Sequence, residues 1–184
     1  MAEDTMIIDE IVARARTAQA RYEAMGSQAL FDKACLAVAW VLMQPERNRA
    51  LAEMAVEETG LGNADDKVRK NHNKTLGLMR DIKDITAFGH VEDDDENGLS
   101  IYYRPKGVIA AVVPSTNPLA TPVNNTINAL KTGNAIILAP SPKGVKPLLA
   151  LFEHIHPALA KLGLPEDLVP VSYTHLTLPT SPKV

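Results

Sequence analysis

Residues 108–118 read VIAAVVPSTNP and give the clearest indication of the fold class. The uninterrupted apolar run Val108 to Val113 is typical of a strand that is buried on both faces of a parallel sheet. Pro114 turns the chain where this strand ends. A helical pattern follows from Pro118 to about Lys131, for which Asn117 is a good N-cap and Pro118 suits the first helical position.

The same order of elements recurs in the next part of the chain. A second apolar run, Ala135 to Leu138, follows Gly133 and Asn134 and leads into the turn residues APSP at 139–142. Another helical pattern spans roughly Val145 to Leu162, and Pro157 is expected to kink or break it. Strand, helix, strand, helix predicts parallel pairing with right-handed crossovers, so the predicted fold class is α/β.

The residues before this sheet have a helical period. From Met6 to Met25 apolar side chains recur every three or four positions, which predicts an amphipathic helix. Three further helices follow. The first of them is expected to end near Gln44, because Pro45 disfavours the helical conformation in the residue before it. The residues expected to cap, open or end these helices are Gly26, Ser27, Pro45, Gly60, Gly62, Asn63 and Asp66.

Two short strands are predicted between the helices and the sheet, at Phe88–Val91 and Leu99–Tyr103. The acidic segment Glu92–Gly98 between them could hold a cation, but its spacing does not match a calcium loop, and a solvated hairpin tip is favoured. The predicted organisation is therefore a helical part at 1–86, short strands at 87–104, the start of the sheet at 105–170 and a tail at 171–184.

Composition excludes several classes of function. The 184 residues carry a net charge of −3, which predicts no broad attraction to nucleic acid or to an anionic membrane. The single cysteine, Cys35, excludes a disulfide framework and any zinc site that needs several cysteines. No apolar run approaches the roughly 20 residues of a membrane span. We expect a cytoplasmic protein in which Cys35, central in its helical stripe, is a buried structural thiol.

The candidate site lies where the two predicted strands end. In an α/β sheet, ligands bind in the crevice at the carboxyl ends of the strands. The Asn117 amide could donate to a developing oxyanion, helped by the positive end of the following helix, or the residue could simply cap that helix. There is no G-x-G-x-x-G and no P-loop, so glycine spacing predicts no phosphate cradle.

Two other groups of side chains are given structural interpretations. His154 and His156 point in different directions on a helix, so no shared metal site is predicted. A small basic cluster could contact a coenzyme phosphate, but a solvated helix face is favoured. The cluster consists of Lys67, Arg69, Lys70 and Lys74, and His72 beside it is expected on the helix surface.

Three ordered motifs give the sequence a specific resemblance. They are AVEETGLG at 55–62 with DKV at 66–68 and KNH at 70–72, P-x-GVI at 105–109 with PSTNP at 114–118, and NALK at 128–131 with GNAI at 133–136 and APSP at 139–142. Together they resemble the N-terminal part of the aldehyde dehydrogenase superfamily, most closely its coenzyme-A-acylating branch. The resemblance covers about Ile7 to Pro170.

The resemblance implies a fold, a reaction and a set of site residues. The fold would be a truncated Rossmann-like cofactor domain, and the parent enzyme would be a homo-oligomer. That enzyme would oxidise a small aldehyde to an acyl-CoA through a cysteine thioester. Its cofactor would be NAD or NADP, and coenzyme A would be the co-substrate. Asn117 aligns with the oxyanion asparagine. Val113, Pro114, Ser115 and Thr116 align beside the nicotinamide half of the cofactor, and Ala139, Pro140 and Ser141 align near the adenosine ribose.

Two departures qualify the resemblance. Hydrolytic members have a ribose-binding lysine where this chain has Ala139, which favours the acylating branch. The family's nucleophilic cysteine and glycine-containing cofactor turn are not in this chain, so we expect an N-terminal fragment without dehydrogenase activity. The alternatives left open are a hydrolytic aldehyde dehydrogenase, and a non-catalytic nucleotide-binding or interaction module.

The tail from Val171 to Val184 differs abruptly in composition, with Thr, Ser and Pro enriched. The run Val171 to Thr180 resembles the translation of a transposase adapter used in DNA sequencing libraries, and such scars are excluded from fold reasoning.

We predict that amplifying and sequencing the source DNA across the codons for Pro170 and Val171 will reveal a frame that continues to a cysteine preceded by a glycine-containing turn. A natural stop codon shortly after Val184 would instead favour the non-catalytic module.

Overall fold

The computed structural model describes residues 2–172. Four helices come first: α1 (Ala2–Ala24), α2 (Gln28–Met43), α3 (Pro45–Thr59) and α4 (Ala64–Ile82). A hairpin of β1 (Gly89–Asp94) and β2 (Leu99–Tyr103) follows, and then β3 (Val108–Val113), α5 (Ala120–Lys131), β4 (Ala135–Pro140) and α6 (Val145–Ala160). Single 3-10 turns lie at Pro142–Gly144 and Glu166–Leu168. The predicted α/β class is confirmed.

The helix ends follow the local sequence signals. The Ser27 side chain accepts a hydrogen bond from the backbone N–H of Leu30 at 3.1 Å, and Asn63 accepts one from Asp66 at 2.8 Å. Gly60 ends α3 with a φ of 67°, a left-handed conformation that glycine adopts without steric cost. These caps confirm the predicted boundaries of α2, α3 and α4.

Strands β3 and β4 pair in parallel, as predicted, from Val108 opposite Ala135 to Val113 opposite Pro140. On its other side, Leu138 of β4 forms a parallel bridge with Val171 and accepts a hydrogen bond from the Ser172 N–H at 2.8 Å. The chain therefore lies along the sheet again at residues 171 and 172. Residues 173–184, which make up most of the predicted tail, lie outside the described residues, so the tail remains a prediction.

The expectation that β3 is buried on both faces is wrong. Val112 is 74% exposed, whereas the next residue, Val113, is completely buried. Ala110 is exposed on the same face as Val112 because side chains alternate across a strand. Within residues 2–172, no element covers that face of β3.

The expectation that Asn117 caps the following helix and that Pro118 opens it is also wrong. Helix α5 begins at Ala120, its N-cap is Leu119, and the Asn117 N–H donates instead to the Pro114 carbonyl in a turn. Pro122 explains the later start. It lacks an N–H, which is tolerated in the first turn of a helix that begins at Ala120 but would remove an internal hydrogen bond if the helix began at Pro118.

Pro157 does not break the last helix, so one of the two expected outcomes is wrong, and the kink stays a prediction. Helix α6 continues through it to Ala160. Because Pro157 lies in the last turn, its missing N–H affects only the end of the helix. Ile155 and Leu159 on either side of it are completely buried and hold that turn against the core.

Helix α2 lies at the centre of the core. It packs against α5, α6, α4 and α3, and its Phe31, Ala34, Val38 and Leu42 are completely buried. The Phe31 ring lies 4.3 Å from that of Tyr22, whose hydroxyl donates to the Leu130 carbonyl. Helices α1 and α5 pack against the small parallel sheet, whereas α2 and α4 pack on α5, and α3 and α6 pack on α2. No helix among the described residues is both long and apolar enough to cross a membrane.

The loop before β4 is joined to the loop before β3 by one side chain. The Asn134 Oδ1 accepts hydrogen bonds from the backbone N–H groups of Lys106 at 2.7 Å and Gly107 at 2.9 Å. Its Nδ2 donates to the Thr132 hydroxyl at 2.7 Å. A Cβ at the neighbouring Gly133, whose φ is 74°, would come within 2.9 Å of Phe31. This segment therefore fixes where the two strands start relative to each other.

We predict that Asn134→Ala lowers the free energy of unfolding by about 2 kcal/mol, because two backbone N–H groups lose their acceptor. Urea denaturation followed by circular dichroism measures the change. The matched control is Asn128→Ala on the exposed side of α5, which is expected to stay within about 0.5 kcal/mol of the unsubstituted chain. Equal stability of the two variants would contradict the assigned role.

Candidate functional site

The ends of β3 and β4 lie side by side. Val113 is opposite Pro140, and the Ser141 N–H donates to the Val113 carbonyl at 2.9 Å, which extends the ladder by one residue. The two segments predicted to contact the cofactor, Val113–Thr116 and Ala139–Ser141, are therefore brought together. Val113 is buried, Ser115 and residues 139–141 are half-buried, and Pro114 and Thr116 are exposed. Their roles remain predictions.

Asn117 follows β3 by four residues and is half-buried. Its backbone N–H is used in the turn to Pro114, whereas its side chain forms no hydrogen bond to any residue between 2 and 172. The capping interpretation is thereby excluded, since α5 begins three residues later. An amide that is held by a turn but has no partner is available to donate to a ligand oxygen.

Ser141 offers a second free polar group at the same edge of the sheet. Its hydroxyl oxygen is buried and has no hydrogen-bond partner within the described part of the chain. A Cβ at Gly144 would lie 3.2 Å from the Ser141 Oγ and 3.3 Å from the Pro118 Cβ. The backbone of Gly144 therefore packs closely against the Ser141 hydroxyl. Buried hydroxyls are normally hydrogen-bonded, so an unpartnered one in a crevice suits a ligand that brings its own polar atoms, such as a ribose.

The basic residues of α4 approach this edge from the helical layer. The Lys70 ammonium lies 3.5 Å from the Thr116 carbonyl oxygen, next to Asn117. Lys67, one turn earlier on α4, is only 5% exposed. The expected solvated face is therefore wrong for Lys67, whereas Lys70 is half-buried and Arg69, His72 and Lys74 are exposed as expected.

Burial of Lys67 has an electrostatic consequence. Desolvation lowers the pKa of its ammonium below the ordinary value, and the neighbouring positive charge of Lys70 lowers it further. Both effects disfavour the charged form of Lys67 relative to that of an exposed lysine. The i, i+4, i+8 spacing of Lys67, Asn71 and Thr75 is a sequence signal for this burial, because it is typical of a polar stripe that faces inward.

Part of this polar stripe has a structural role. The Asn71 Nδ2 donates to the Asn48 Oδ1 at 2.9 Å, and the Asn48 Nδ2 donates to the Val68 carbonyl at 3.0 Å. These hydrogen bonds join α3 to α4 and hold the side of α4 that carries Lys67 toward the interior. The orientation of Lys67 is thus set by its neighbours rather than by a partner of its own.

Cys35 is excluded as a nucleophile, as expected. It is 1% exposed, and its Sγ lies 3.3 Å from the Ile127 carbonyl oxygen. Burial, with a smaller contribution from Asp32, raises the pKa of its thiol to about 12. Since the thiolate is the nucleophile, Cys35 is unreactive near neutral pH.

The remaining candidates have structural roles. The His156 Nε2 lies 3.0 Å from the Val169 carbonyl, whereas His154 is exposed. In the acidic hairpin, Asp93 accepts hydrogen bonds from Ser100 and pairs with His90, and the Ser100 bond is the main cause that lowers the Asp93 pKa. No group of three metal-ligating side chains occurs between residues 2 and 172.

A cavity of about 740 Å³ lies away from these strand ends. None of the predicted site residues lines it, and it borders Val171, after which the described part of the chain soon ends. Its lining residues include Arg14, Phe152, His156, Glu166 and Pro170. This cavity therefore does not coincide with the candidate site at the strand ends.

Comparisons with known proteins agree with this geometry. The aldehyde dehydrogenase family matches residues 2–175. The sulfoacetaldehyde dehydrogenase (acylating) of Cupriavidus necator is 54% identical over 169 residues, which are 89% of this chain and 34% of that protein. The sulfoacetaldehyde dehydrogenase (acylating) of Bilophila wadsworthia is 38% identical over 89% of this chain and 35% of its own length. The chain thus spans about a third of the length of these relatives.

Solved structures show the same fold. Propionaldehyde dehydrogenase of Rhodopseudomonas palustris with bound propionyl-CoA superposes with a TM-score of 0.77 at 32% identity, over 89% of this chain and 35% of that one. An engineered glycolyl-CoA reductase with bound NADP+ superposes with a TM-score of 0.74 at 32% identity, over 89% of this chain and 36% of that one.

We predict that Cys35 resists thiol reagents in the folded chain. With a pKa of about 12, roughly one thiol in ten thousand is ionised at pH 8, and the side chain is also covered. Ellman's reagent should therefore react with native protein far more slowly than with the same protein in guanidinium chloride, where one thiol per chain is titrated. Fast reaction in the native state would overturn the assignment.

Proposed function

This chain belongs to the aldehyde dehydrogenase family, and we propose that it is the N-terminal part of an NAD(P)-dependent, coenzyme-A-acylating enzyme. The reaction converts a small aldehyde, NAD(P)+ and coenzyme A into an acyl-CoA, NAD(P)H and a proton. The observation that carries the proposal is the free Asn117 amide at the end of β3, beside the β4 turn, in a chain that is 54% identical to an acylating relative. The same resemblance supports a cytoplasmic, homo-oligomeric parent enzyme.

In this proposal Asn117 stabilises negative charge on the substrate oxygen. Attack of a thiolate on an aldehyde converts the carbonyl oxygen into an oxyanion, and an amide N–H that already points to that position stabilises the charge without reorganising. The turn from Pro114 to Asn117 holds the backbone of the donor in place. Helix α5 begins three residues later, and the partial positive charge of its N-terminus favours the same anion.

Residues Val113–Thr116 and Ala139–Ser141 are proposed to bind the dinucleotide. When bound, it supplies the acceptor for the aldehyde's hydride. The buried, unpartnered Ser141 hydroxyl suits a ribose oxygen as its hydrogen-bond partner. Ala139 brings no ammonium to this crevice, in agreement with the acylating rather than the hydrolytic branch.

The nucleophile is proposed to come from a part of the enzyme outside these 184 residues. Cys35 is the only cysteine of the sequence, and it is buried against Ile127 with a raised pKa. The chain therefore supplies the oxyanion donor and part of the cofactor site. We propose sulfoacetaldehyde as the substrate, because it appears in the names of both relatives compared above.

We predict that Asn117→Ala in the full-length enzyme lowers kcat by about 10²–10³-fold, because one oxyanion donor is lost. The assay follows NADH formation from aldehyde with and without coenzyme A, and it identifies the product as thioester or free acid. Asn128→Ala in the following helix, α5, is the control and should retain full activity, since that side chain is exposed.

Three outcomes would contradict the proposal. An unchanged kcat in the Asn117 variant would remove the oxyanion role. Free acid formed without coenzyme A would favour the hydrolytic alternative. NAD+ reduction by the isolated 184-residue chain would show that a nucleophile other than a further cysteine is at work.

A further inference from the structure

We propose that the outer face of α2 and α4 binds a second copy of this chain, with Trp40 of each copy filling a cavity beside Leu36 of the other. This interface goes beyond the function proposed above, because it concerns assembly and contains no residue of the candidate site. It would be one contact surface of the homo-oligomeric parent enzyme.

Large apolar side chains are exposed on both helices of this face. Trp40, the only tryptophan of the sequence, is 68% exposed, and Leu36, one turn before it on α2, is 58% exposed. Leu76 on α4 is 50% exposed. Leu36 and Trp40 lie on the same side of α2, because residues four apart in a helix do.

Two cavities show how α2 and α4 lie against each other. One, of about 220 Å³, is bordered by Leu36 of α2 and Met79 of α4. The other, of about 280 Å³, is bordered by Met43 of α2 and His72 of α4. The helices are therefore antiparallel, and Leu76 lies between the two cavities, next to the exposed residues of α2. These apolar side chains form one patch, and a contiguous exposed apolar patch is typical of an interaction surface.

The cavity beside Leu36 suits an aromatic side chain. Its walls include the apolar side chains of Leu36, Met79 and Ile82. Its volume of about 220 Å³ is that of about seven water molecules in the liquid, which leaves room for an indole ring.

A hydrogen-bond acceptor lines the same cavity. The Asp32 carboxylate borders it and is partly exposed. Gln28 and Lys131 both donate to the Asp32 Oδ1, so the Oδ2 remains open to a further donor. The indole N–H of a tryptophan is only a donor, and it would find its acceptor there.

Trp40 and this cavity lie one turn apart on the same face, so two copies can exchange them. In a two-fold interface, residue i of one copy contacts residue j of the other, and j contacts i. An axis perpendicular to α2, between Leu36 and Trp40, places each Trp40 opposite the other copy's cavity. The axis then passes near Leu76, which lies opposite its own copy. A tryptophan that fills a pocket at the centre of an interface is a typical hot spot.

Charged residues at the two ends of α2 complement each other in this arrangement. Lys33 is exposed one turn before Leu36, and Glu46 is exposed just after α2 ends. Neither forms an ion pair with any residue between 2 and 172. The antiparallel orientation brings Lys33 of each copy toward Glu46 of the other. A parallel orientation would bring like charges together, so the charges favour the antiparallel one.

A second copy fits this face better than the remainder of the parent enzyme does. The described chain ends along β4 at residues 171 and 172, and Val112 marks the open face of the sheet. Helix α5 packs on that sheet, and α2 and α4 pack on α5. A segment that extends or covers the sheet therefore lies on the strand side, away from Trp40. Leu36, Trp40 and Leu76 also lie outside the motifs that the chain shares with the aldehyde dehydrogenase family.

The first test measures the mass of the full-length enzyme in solution by light scattering. Trp40→Glu should raise the dissociation constant at this interface by at least about thirtyfold, the effect of losing one hot-spot residue, so that the mass halves. Ile7→Glu, at an exposed apolar residue near the start of α1, is the matched control and should keep the parent's mass. Circular dichroism should be unchanged in both variants, because both side chains are exposed in the single chain.

The second test does not depend on disrupting the interface. Leu76→Cys places a thiol near the two-fold axis, so mild oxidation with copper phenanthroline should join two chains by a disulfide and double the mass on a non-reducing gel. Asn128→Cys, on the exposed side of α5, is the control and should give only the background of the unsubstituted enzyme.

A third test addresses the orientation of the two copies. Lys33→Glu and Glu46→Lys should each raise the dissociation constant by up to about fivefold, as is typical of an exposed ion pair. The double variant should restore the parent's value, because the two charges are then exchanged.

The remaining outcomes separate this interface from its alternatives. An unchanged mass in Trp40→Glu would overturn the proposal. A monomeric full-length enzyme in which Trp40 is protected from acrylamide quenching would also overturn it, since a later part of the chain would then cover the face. An enzyme that oxidises no aldehyde, but whose mass halves in Trp40→Glu, would contradict the proposed function and support the interface.

Discussion

The in-register parallel pairing of β3 with β4 is the constraint on which the site depends. Asn117 and Ser141 belong to turns, not to strands, and they become neighbours only because Val113 is opposite Pro140. The register is held at both ends, by Asn134 bonding to the loop before β3 and by the Ser141 N–H bonding to Val113. A slip of one residue would turn every side chain of one strand to the other face.

The helical layer depends on the same pairing. Helix α2 packs against α5, the crossover that joins the two strands, and its Phe31 lies so close to Gly133 that no side chain fits there. Helix α4 in turn packs on α2 and α5, which brings Lys70 to the Thr116 carbonyl. The strands thus position α5, and α5 positions α2 and α4. These contacts place the side of α4 that carries Lys70 at the end of β3.

The sequence predicts those parts of the structure that are decided locally. The caps at Ser27 and Asn63 and the left-handed Gly60 depend on a few neighbouring residues, and the apolar run of β3 identifies its limits. The start of α5 is also decided locally: Pro122 favours a helix that begins at Ala120, although Asn117 and Pro118 together resemble a helix start. The exposure of Val112 could not be predicted, because it depends on which element lies opposite in the folded chain. The only local signal for the burial of Lys67 is its spacing with Asn71 and Thr75.

Lys67 and Lys131 face inward for different reasons. Lys131 is 4% exposed, and its ammonium lies 2.6 Å from the Asp32 carboxylate. Lys67 is 5% exposed, but its ammonium is not among the buried atoms that lack a partner, so its aliphatic stem is covered while the ammonium reaches solvent. The hydrogen bonds between Asn48 and α4 hold this side of the helix against α3, and the Lys70 ammonium lies 3.5 Å from the Thr116 carbonyl. The turn that carries Asn117 is therefore contacted from α4 as well as from β3.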